Sequence, residues 1–150
     1  MKVLFANTAL DEVLRNRSRC GEIKRFLNDC QDHVIEGYCC SFYFCLLAKQ
    51  LEKEDLRRTL SILGKLLKPI HVNLRDLREA LRYDDPDEGL YAVLVKRHRL
   101  DCALVMEKNG KEDSTIELCI PKELRRKIEN GKTTEQRRDL LRKSHPCGKG

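Results

Sequence analysis

Residues 84–109, DDPDEGLYAVLVKRHRLDCALVMEKN, are the stretch that decides the fold. Asp85 is suited to cap a helix, Pro86 to occupy its first position, and Glu88 to take the acidic place of a capping box. The apolar run at 100–106, LDCALVM, has the length of a strand that is buried on both faces, as in a parallel sheet. The stretch therefore predicts a helix followed by a buried parallel strand.

Acidic side chains stand at the start of this helix and at the end of this strand. Asp85, Asp87 and Glu88 belong to the helix start, and Glu107 follows the strand directly. In open parallel sheets, ligands bind beyond the carboxyl ends of the strands, where helices begin. We therefore expect these four carboxylates to converge on one crevice.

The rest of the chain alternates predicted strands and helices. Short apolar runs predict further strands at 2–7, 33–40, 70–74 and 115–121. Periodic apolar positions predict helices at 9–15, 18–30, 41–51, 52–69, 75–83, 121–131 and 135–143, with Leu74, Leu77 and Leu81 on one face of their helix. Strands joined through helices favour right-handed crossovers. The sequence thus predicts a three-layer α/β/α fold with a mainly parallel central sheet.

Length and composition limit the class of protein. A chain of 150 residues fits a single domain that can bury a core without covalent staples. It contains no run of 18 apolar residues, and Asp11 and Glu12 come too early for a secretory signal. No dinucleotide, P-loop or zincin motif is present. We expect a cytoplasmic protein with no membrane segment.

The eight cysteines favour reduced thiols packed as small apolar groups. Their spacings contain no CxxC pair, and five of them lie in apolar stretches. The alternative is a zinc site built from Cys30, His33, Cys39 and Cys40, although these lack paired ligand spacing.

The positive charge is concentrated at the end of the chain. The net charge is +6, and residues 122–150 contain ten Lys or Arg against four acidic residues, so the preceding part is neutral. Clustered cations release counterions when they bind phosphates. The tail is therefore a candidate RNA-binding element, and the alternative is a solvated appendage. The candidate nucleic-acid-binding residues are Lys122, Arg125, Arg126, Arg137, Arg138, Arg142 and Lys143.

The leucine-rich helices between residues 41 and 67 predict an assembly. They carry more apolar residues than one sheet face requires, so we expect a homodimer or a complex with a small protein partner. The alternative is that Leu46, Leu47, Leu63 and Leu66 all belong to the monomer core.

Five segments resemble the PIN-domain proteins, which include the toxin ribonucleases of bacterial toxin–antitoxin modules. KVLFANTALDEVL looks like the family's first strand, which normally ends in Asp-Thr-Asn. DPDEGLYAVLVKR is similar to its helix start of the form Asp-aromatic-Glu-Asp-Ala-Leu. The other three are SFYFCLLAKQL, LDCALVMEKN and IELCIPKEL. The resemblance implies a PIN-like domain at 1–128, followed by a basic C-terminal tail with a short helix at 129–150.

The resemblance also implies a site, which this sequence keeps only in part. The family's carboxylates hold Mg²⁺ or Mn²⁺ for phosphodiester hydrolysis. Its first aspartate corresponds to Ala6, and the glutamate of its buried helix to Phe44 or Cys45. The other two acids correspond to Glu88 and Glu107. Because two of the family's acids are missing, we expect a degenerate nuclease that uses no metal and acts by binding RNA, a protein partner or both, as a regulatory domain would.

The alternative is an active ribonuclease of the toxin–antitoxin type with a rearranged acidic site. Its candidate catalytic residues are Asp87, Glu88 and Glu107, and its candidate ligands for Mg²⁺ or Mn²⁺ are Asp11, Glu88 and Glu107. Asp87 is a further substitute for a missing ligand. This alternative requires at least three of these carboxylates to lie around one point.

Overall fold

The structure is a computed structural model that describes residues 1–109 and 117–131. Two helices follow each of the first three strands, as the sequence predicts. The strands are β1 (Lys2–Phe5), β2 (Glu36–Cys40), β3 (Leu67–Ile70), β4 (Cys102–Leu104) and β5 (Leu118–Cys119). The helices are α1 (Asn7–Leu14), α2 (Cys20–Gln31), α3 (Phe42–Gln50), α4 (Lys53–Leu66), α5 (Leu74–Ala80), α6 (Pro86–Arg97) and α7 (121–131).

The strands form one sheet in the order β3-β2-β1-β4-β5, and every neighbouring pair is parallel. Leu4 in the central strand lies opposite Tyr38 in β2 and opposite Ala103 in β4. Val3, Leu4 and Phe5 are fully buried, because helices cover both faces of the sheet. Alternate residues of each strand belong to two separate apolar clusters, one on each face. The predicted three-layer α/β/α fold with a parallel sheet is confirmed.

One strand lies earlier in the chain than the sequence predicts. The prediction placed a helix through Pro69 and a strand at 70–74, whereas α4 ends at Leu66 and β3 begins at Leu67. Pro69 has no backbone N–H to donate, which a central strand would not tolerate. The strand order places β3 at an edge of the sheet, where proline is acceptable.

The end of the described chain crosses the predicted domain boundary. Helix α7 covers 121–131 and therefore spans the predicted boundary between a domain that ends at 128 and a tail that begins at 129. Two of its apolar residues, Leu124 and Ile128, are buried in the core. The predicted helix at 135–143 lies outside the described residues.

The leucines of the helices between residues 41 and 67 divide between core and surface. Leu47 and Leu63 are buried, and Leu66 packs against the core. Leu46 and Ile62 are exposed. The monomer core therefore accounts for part of this apolar surface, and assembly stays a prediction.

Among the described residues, no helix combines the length and apolar character needed to cross a membrane.

Candidate functional site

A cavity of about 260 Å³ lies at the carboxyl ends of the strands, and we call it the strand-end cleft. It forms where the loop after β4 meets the starts of α1 and α6. The four carboxylates expected to converge there do so. Its lining consists of Thr8, Glu12, Arg17, Asp85, Asp87, Glu88, Tyr91, Val105, Met106, Glu107 and Asn109.

Asp85 caps α6 and Pro86 begins it, as the sequence predicts. The Asp85 carboxylate accepts hydrogen bonds from the backbone N–H groups of Asp87, at 3.0 Å, and Glu88, at 3.4 Å. Pro86 occupies the first turn, where its missing N–H has no cost. The Glu88 side chain is buried, and it accepts a hydrogen bond from the backbone N–H of Asn109. Glu88 thus connects α6 to the loop that follows β4.

Asp87 is held in an environment that opposes its negative charge. Partial desolvation raises the pKa of its carboxyl above the usual value, and the neighbouring charges of Asp85 and Glu88 raise this pKa further. Keeping this carboxylate ionised against these effects lowers the free energy of unfolding. Clustered acids of this kind are typical of functional sites, although structural networks also produce them.

Asp87→Asn is therefore expected to stabilise the protein at neutral pH. Because the pKa of the folded form is raised, the folded state binds the proton more tightly than the unfolded state does. Stability consequently falls as the pH rises from the unfolded pKa through the folded pKa, and the substitution removes that loss. The measurement is the melting temperature against pH, where the gain should vanish in acid. Asp55→Asn, in the first turn of α4, is the control. An equal gain there would contradict the prediction.

The end of β1 offers no carboxylate to the cleft. Ala6 is fully buried and its backbone N–H donates to the carbonyl of Leu104. The backbone N–H of Asn7 donates to the Tyr91 hydroxyl at 3.0 Å. Burial raises the pKa of Tyr91, so this hydroxyl stays neutral. The side-chain oxygen of Asn7 is buried and has no hydrogen-bond partner among the described residues. This oxygen is a neutral acceptor next to Ala6, the position that corresponds to the first aspartate of the PIN-domain proteins.

The remaining metal candidate, Asp11, and the two positions that correspond to the family's helix glutamate, Phe44 and Cys45, do not line the cleft. Asp11 is outside the cleft lining, and its carboxylate accepts a hydrogen bond from the Tyr43 hydroxyl at 2.7 Å. Phe44 packs against the core, and Cys45 is exposed. Within residues 1–109 and 117–131, no group of three or more His, Cys, Asp or Glu side chains is arranged to hold a metal ion.

The same finding excludes the zinc site that was the alternative for Cys30, His33, Cys39 and Cys40. Cys30, Cys39 and Cys40 are free and buried, whereas His33 is exposed, so these residues form no zinc site. Burial raises the pKa of Cys40 to about 12, with smaller effects from Cys39 and Asp87. Such a thiol stays protonated and behaves as an apolar group. All seven cysteines in the described part of the chain are free, and Cys147 lies outside it.

A second cavity, of about 480 Å³, lies between α2 and the start of α7, and we call it the basic cavity. Four of its lining side chains are cationic and one is acidic. It brings cations from the neutral body of the chain together with cations from the basic end. Its lining consists of Arg19, Glu22, Arg25, Phe26, Pro121, Lys122 and Arg125.

Arg125 has a fixed orientation in the basic cavity. Its guanidinium lies 4.5 Å from the centre of the Phe26 ring and pairs with Asp29 at 2.9 Å. Arg19 pairs with Glu22 at 3.2 Å and donates to the carbonyl of Met106 at 3.4 Å. Met106 also lines the strand-end cleft, so Arg19 joins the two cavities. Stacked, preorganised guanidinium groups are suited to phosphate recognition.

The predicted nucleic-acid residues are only partly described by the structure. Lys122 and Arg125 line the basic cavity, and Arg126 is exposed on α7. The other four, Arg137, Arg138, Arg142 and Lys143, lie outside the described residues.

Sequence reasoning missed the residues that the body contributes. Glu12 and Arg17 line the strand-end cleft, and Arg19 and Arg25 line the basic cavity. The net neutrality of residues 1–121 concealed these cations. One sequence signal was available, namely the cluster of Arg15, Arg17 and Arg19 between the first two helices. Three arginines within five residues indicate a local positive charge that the net charge of residues 1–121 does not show.

The fold and the cleft define the class of the molecule as a parallel α/β/α domain with a strand-end site. Comparison with protein-family models, with curated proteins and with solved structures finds no match to this chain.

Proposed function

We propose that the chain is a PIN-like domain that binds single-stranded RNA through the basic cavity and does not cleave it. The observation that carries this proposal is the basic cavity itself, where four cations surround one acid beside the strand-end cleft. The parallel sheet and the placement of Glu88 and Glu107 at the cleft accord with the PIN resemblance.

The chemistry of the basic cavity favours phosphates. Arg25 and Lys122 are exposed, and they have no ion pair among the described residues, so they are free to neutralise a nucleic-acid backbone. Arg125 is stacked and oriented, which reduces the entropy lost when its remaining N–H groups bind an anion. Phe26 and Pro121 supply the apolar part of the wall. Four phosphate contacts to a single strand predict a salt slope of about −2.8 in logarithmic affinity.

The strand-end cleft supports binding better than hydrolysis. Cleavage by two or three carboxylates needs a bound divalent cation to neutralise the phosphate. The side chain of Ala6 has no atom that can bind a metal ion. The Asp11 carboxylate is hydrogen-bonded to Tyr43 away from the cleft, and the Glu88 carboxylate is hydrogen-bonded to the loop after β4. The alternative function is a ribonuclease in which Asp87, Glu88 and Glu107 hold Mg²⁺ or Mn²⁺. The five acidic residues that line one cleft favour this alternative.

The binding test compares two double variants of the full chain. Arg25→Ala/Lys122→Ala removes two cations of the basic cavity, and Lys53→Ala/Arg58→Ala removes two exposed cations of α4. We expect the first variant to lose roughly tenfold affinity per contact at ~50 mM salt, and its salt slope to fall to about −1.4. The control should change neither quantity. Fluorescence anisotropy of a short labelled RNA of mixed sequence measures both.

Two outcomes of this experiment would overturn the proposal. The first is that wild-type protein fails to bind the RNA at low salt, which would point to a protein partner. The second is that both variants lose equal affinity, because the charge would then act without a defined site. The same titration with Arg137, Arg138, Arg142 and Lys143 changed together to alanine measures the contribution of the predicted tail.

A cleavage assay separates the proposal from the ribonuclease alternative. Purified protein is incubated with the same RNA in Mg²⁺ and then in Mn²⁺, and the products are resolved on a gel. We expect intact RNA in both metals. Metal-dependent cleavage that Glu88→Gln abolishes would establish the alternative. Glu88→Gln keeps an oxygen that can accept the Asn109 N–H, so the fold is expected to survive the change.

A further inference from the structure

Helix α5 turns its leucines to the solvent and its acid to the interior. Leu74, Leu77 and Leu81 are 61%, 46% and 72% exposed, whereas Asp76 is 1% and Ala80 is 3% exposed. The predicted apolar stripe at i, i+3 and i+7 therefore exists, but it does not face the core of its own chain. Single exposed leucines are ordinary, but an apolar stripe along one helix face marks an interaction surface.

Polar contacts fix this orientation. The Asp76 carboxylate pairs with Arg97 at 2.6 Å and accepts the backbone N–H of Asn73 at 3.0 Å. The Asn73 side chain in return accepts the backbone N–H of Asp76, which completes a capping box. Rotating α5 to bury its leucines would expose these bonds and break the pair. The leucines consequently stay available to another molecule.

A stripe of arginines runs beside the leucines. Arg75, Arg78 and Arg82 repeat the spacing of the leucines one residue later, and all three are exposed. Arg75 pairs with Glu79 at 3.4 Å. Arg78 and Arg82 take part in no ion pair within the described residues. The six side chains of the two stripes form one surface, which we call the α5 face.

We propose that the α5 face docks an acidic amphipathic helix of a partner protein. Three leucines at i, i+3 and i+7 match the anchor spacing of helix-to-helix recognition. The parallel arginine stripe requires negative charge beside the partner's apolar anchors, since opposite charges fix register and exclude wrong partners. This proposal is independent of the RNA site, because it rests on different residues and a different ligand.

Two other occupants fit the α5 face less well. A second copy packed antiparallel would bring one arginine stripe beside the other, which is unfavourable, and a parallel copy would leave both stripes without an opposite charge. An anionic membrane would satisfy the arginines, but α5 has only seven residues, and with Leu81 directly after it the face offers three leucines to insert, whereas interfacial helices usually bury a longer apolar face. A helix with glutamates beside its leucines satisfies both stripes at once.

Two synthetic helical peptides provide the test. Both carry leucines at i, i+3 and i+7, one flanked by glutamate and the other by lysine. Labelled peptides are titrated with the full chain in anisotropy measurements. We expect the glutamate peptide to bind and the lysine peptide not to bind. Leu77→Ser/Leu81→Ser should weaken the glutamate peptide at least tenfold, and Arg78→Glu/Arg82→Glu should reverse the preference between the peptides.

A matched variant tests whether the effect belongs to the α5 face. Leu60→Ser/Ile62→Ser removes two exposed apolar side chains of α4 and should leave peptide binding unchanged. All substituted side chains are exposed, so melting temperatures should stay near that of the wild type. Equal loss of binding in the control would overturn the proposal, as would equal binding of both peptides or binding of neither.

Two further measurements test the other occupants. Sedimentation of the wild type and of Leu77→Ser/Leu81→Ser tests the second copy, and co-sedimentation with phosphatidylserine vesicles tests the membrane. A dimer that dissociates in the variant would assign the α5 face to a second copy. Vesicle binding that the variant loses would assign it to a membrane. Either outcome would overturn the proposal, whereas the same monomer and no vesicle binding support it.

Discussion

Arg97→Ala is expected to destabilise the fold by about 3 kcal/mol, because it leaves the Asp76 carboxylate buried without a counter-ion. Asp76 is almost fully buried, and its carboxylate also accepts the backbone N–H of Asn73 in the capping box. The guanidinium also donates to the carbonyl of His71 at 2.7 Å, so the segment that leads into α5 loses an anchor as well. For a chain of this length, the melting temperature should fall by roughly 6–12 °C.

A rescue and a control make this prediction specific. Asp76→Asn in the Arg97→Ala background removes the unpaired charge and keeps an acceptor for the Asn73 N–H, so it should recover part of the loss. Arg57→Ala breaks a surface pair with Glu54 at 3.6 Å and should cost no more than about 0.5 kcal/mol. Equal effects of Arg97→Ala and Arg57→Ala in denaturant titrations would contradict the prediction, because the pair of Arg97 with Asp76 would then contribute no more than a surface pair.

The sequence predicts the layers of this fold because a strand that is buried on both faces consists of consecutive apolar residues. Runs such as KVLFA and LDCALVM are apolar on both faces, which only a covered parallel sheet accommodates. The start of α6 was also predictable, because Asp85 and Pro86 act through their own backbone neighbours. The position of β3 was not, because Leu66 and Leu67 fit a helix and a strand equally well. Pairing with β2, a tertiary effect, decides the boundary.

The candidate sites show the same division between local and tertiary information. The convergence of Asp85, Asp87 and Glu107 follows from the topology of parallel strands, so the sequence sufficed. The basic cavity depends on packing α2 against α7, which are almost a hundred positions apart in the chain, and no local pattern contains that contact. Helix α5 is the clearest case. Its apolar stripe was visible, but the partner of Asp76 decides which face points inward, and Arg97 lies on another helix.

Gly89→Ala is expected to destabilise the protein by about 1–3 kcal/mol, because α5 and α6 approach too closely for a side chain at that position. A Cβ at Gly89 would lie 2.7 Å from the Cβ of Tyr83 and 2.8 Å from the carbonyl oxygen of Ala80. The carbonyl belongs to the backbone and cannot rotate away, so the end of α5 must move. The helix propensity of alanine favours the substitution by at most about 1 kcal/mol and does not offset this overlap.

Gly64→Ala is the matched control, because it changes the same residue type in α4, where a Cβ meets nothing within 4 Å. With no contact to disturb, the gain in helix propensity should stabilise the protein by about 0.5–1 kcal/mol. The two substitutions are therefore expected to shift the denaturation midpoint in opposite directions. Because α5 carries the exposed leucines, Gly89→Ala should also weaken the glutamate peptide at the α5 face, whereas Gly64→Ala should not. A stabilising Gly89→Ala would mean that α5 does not lie against α6 as described.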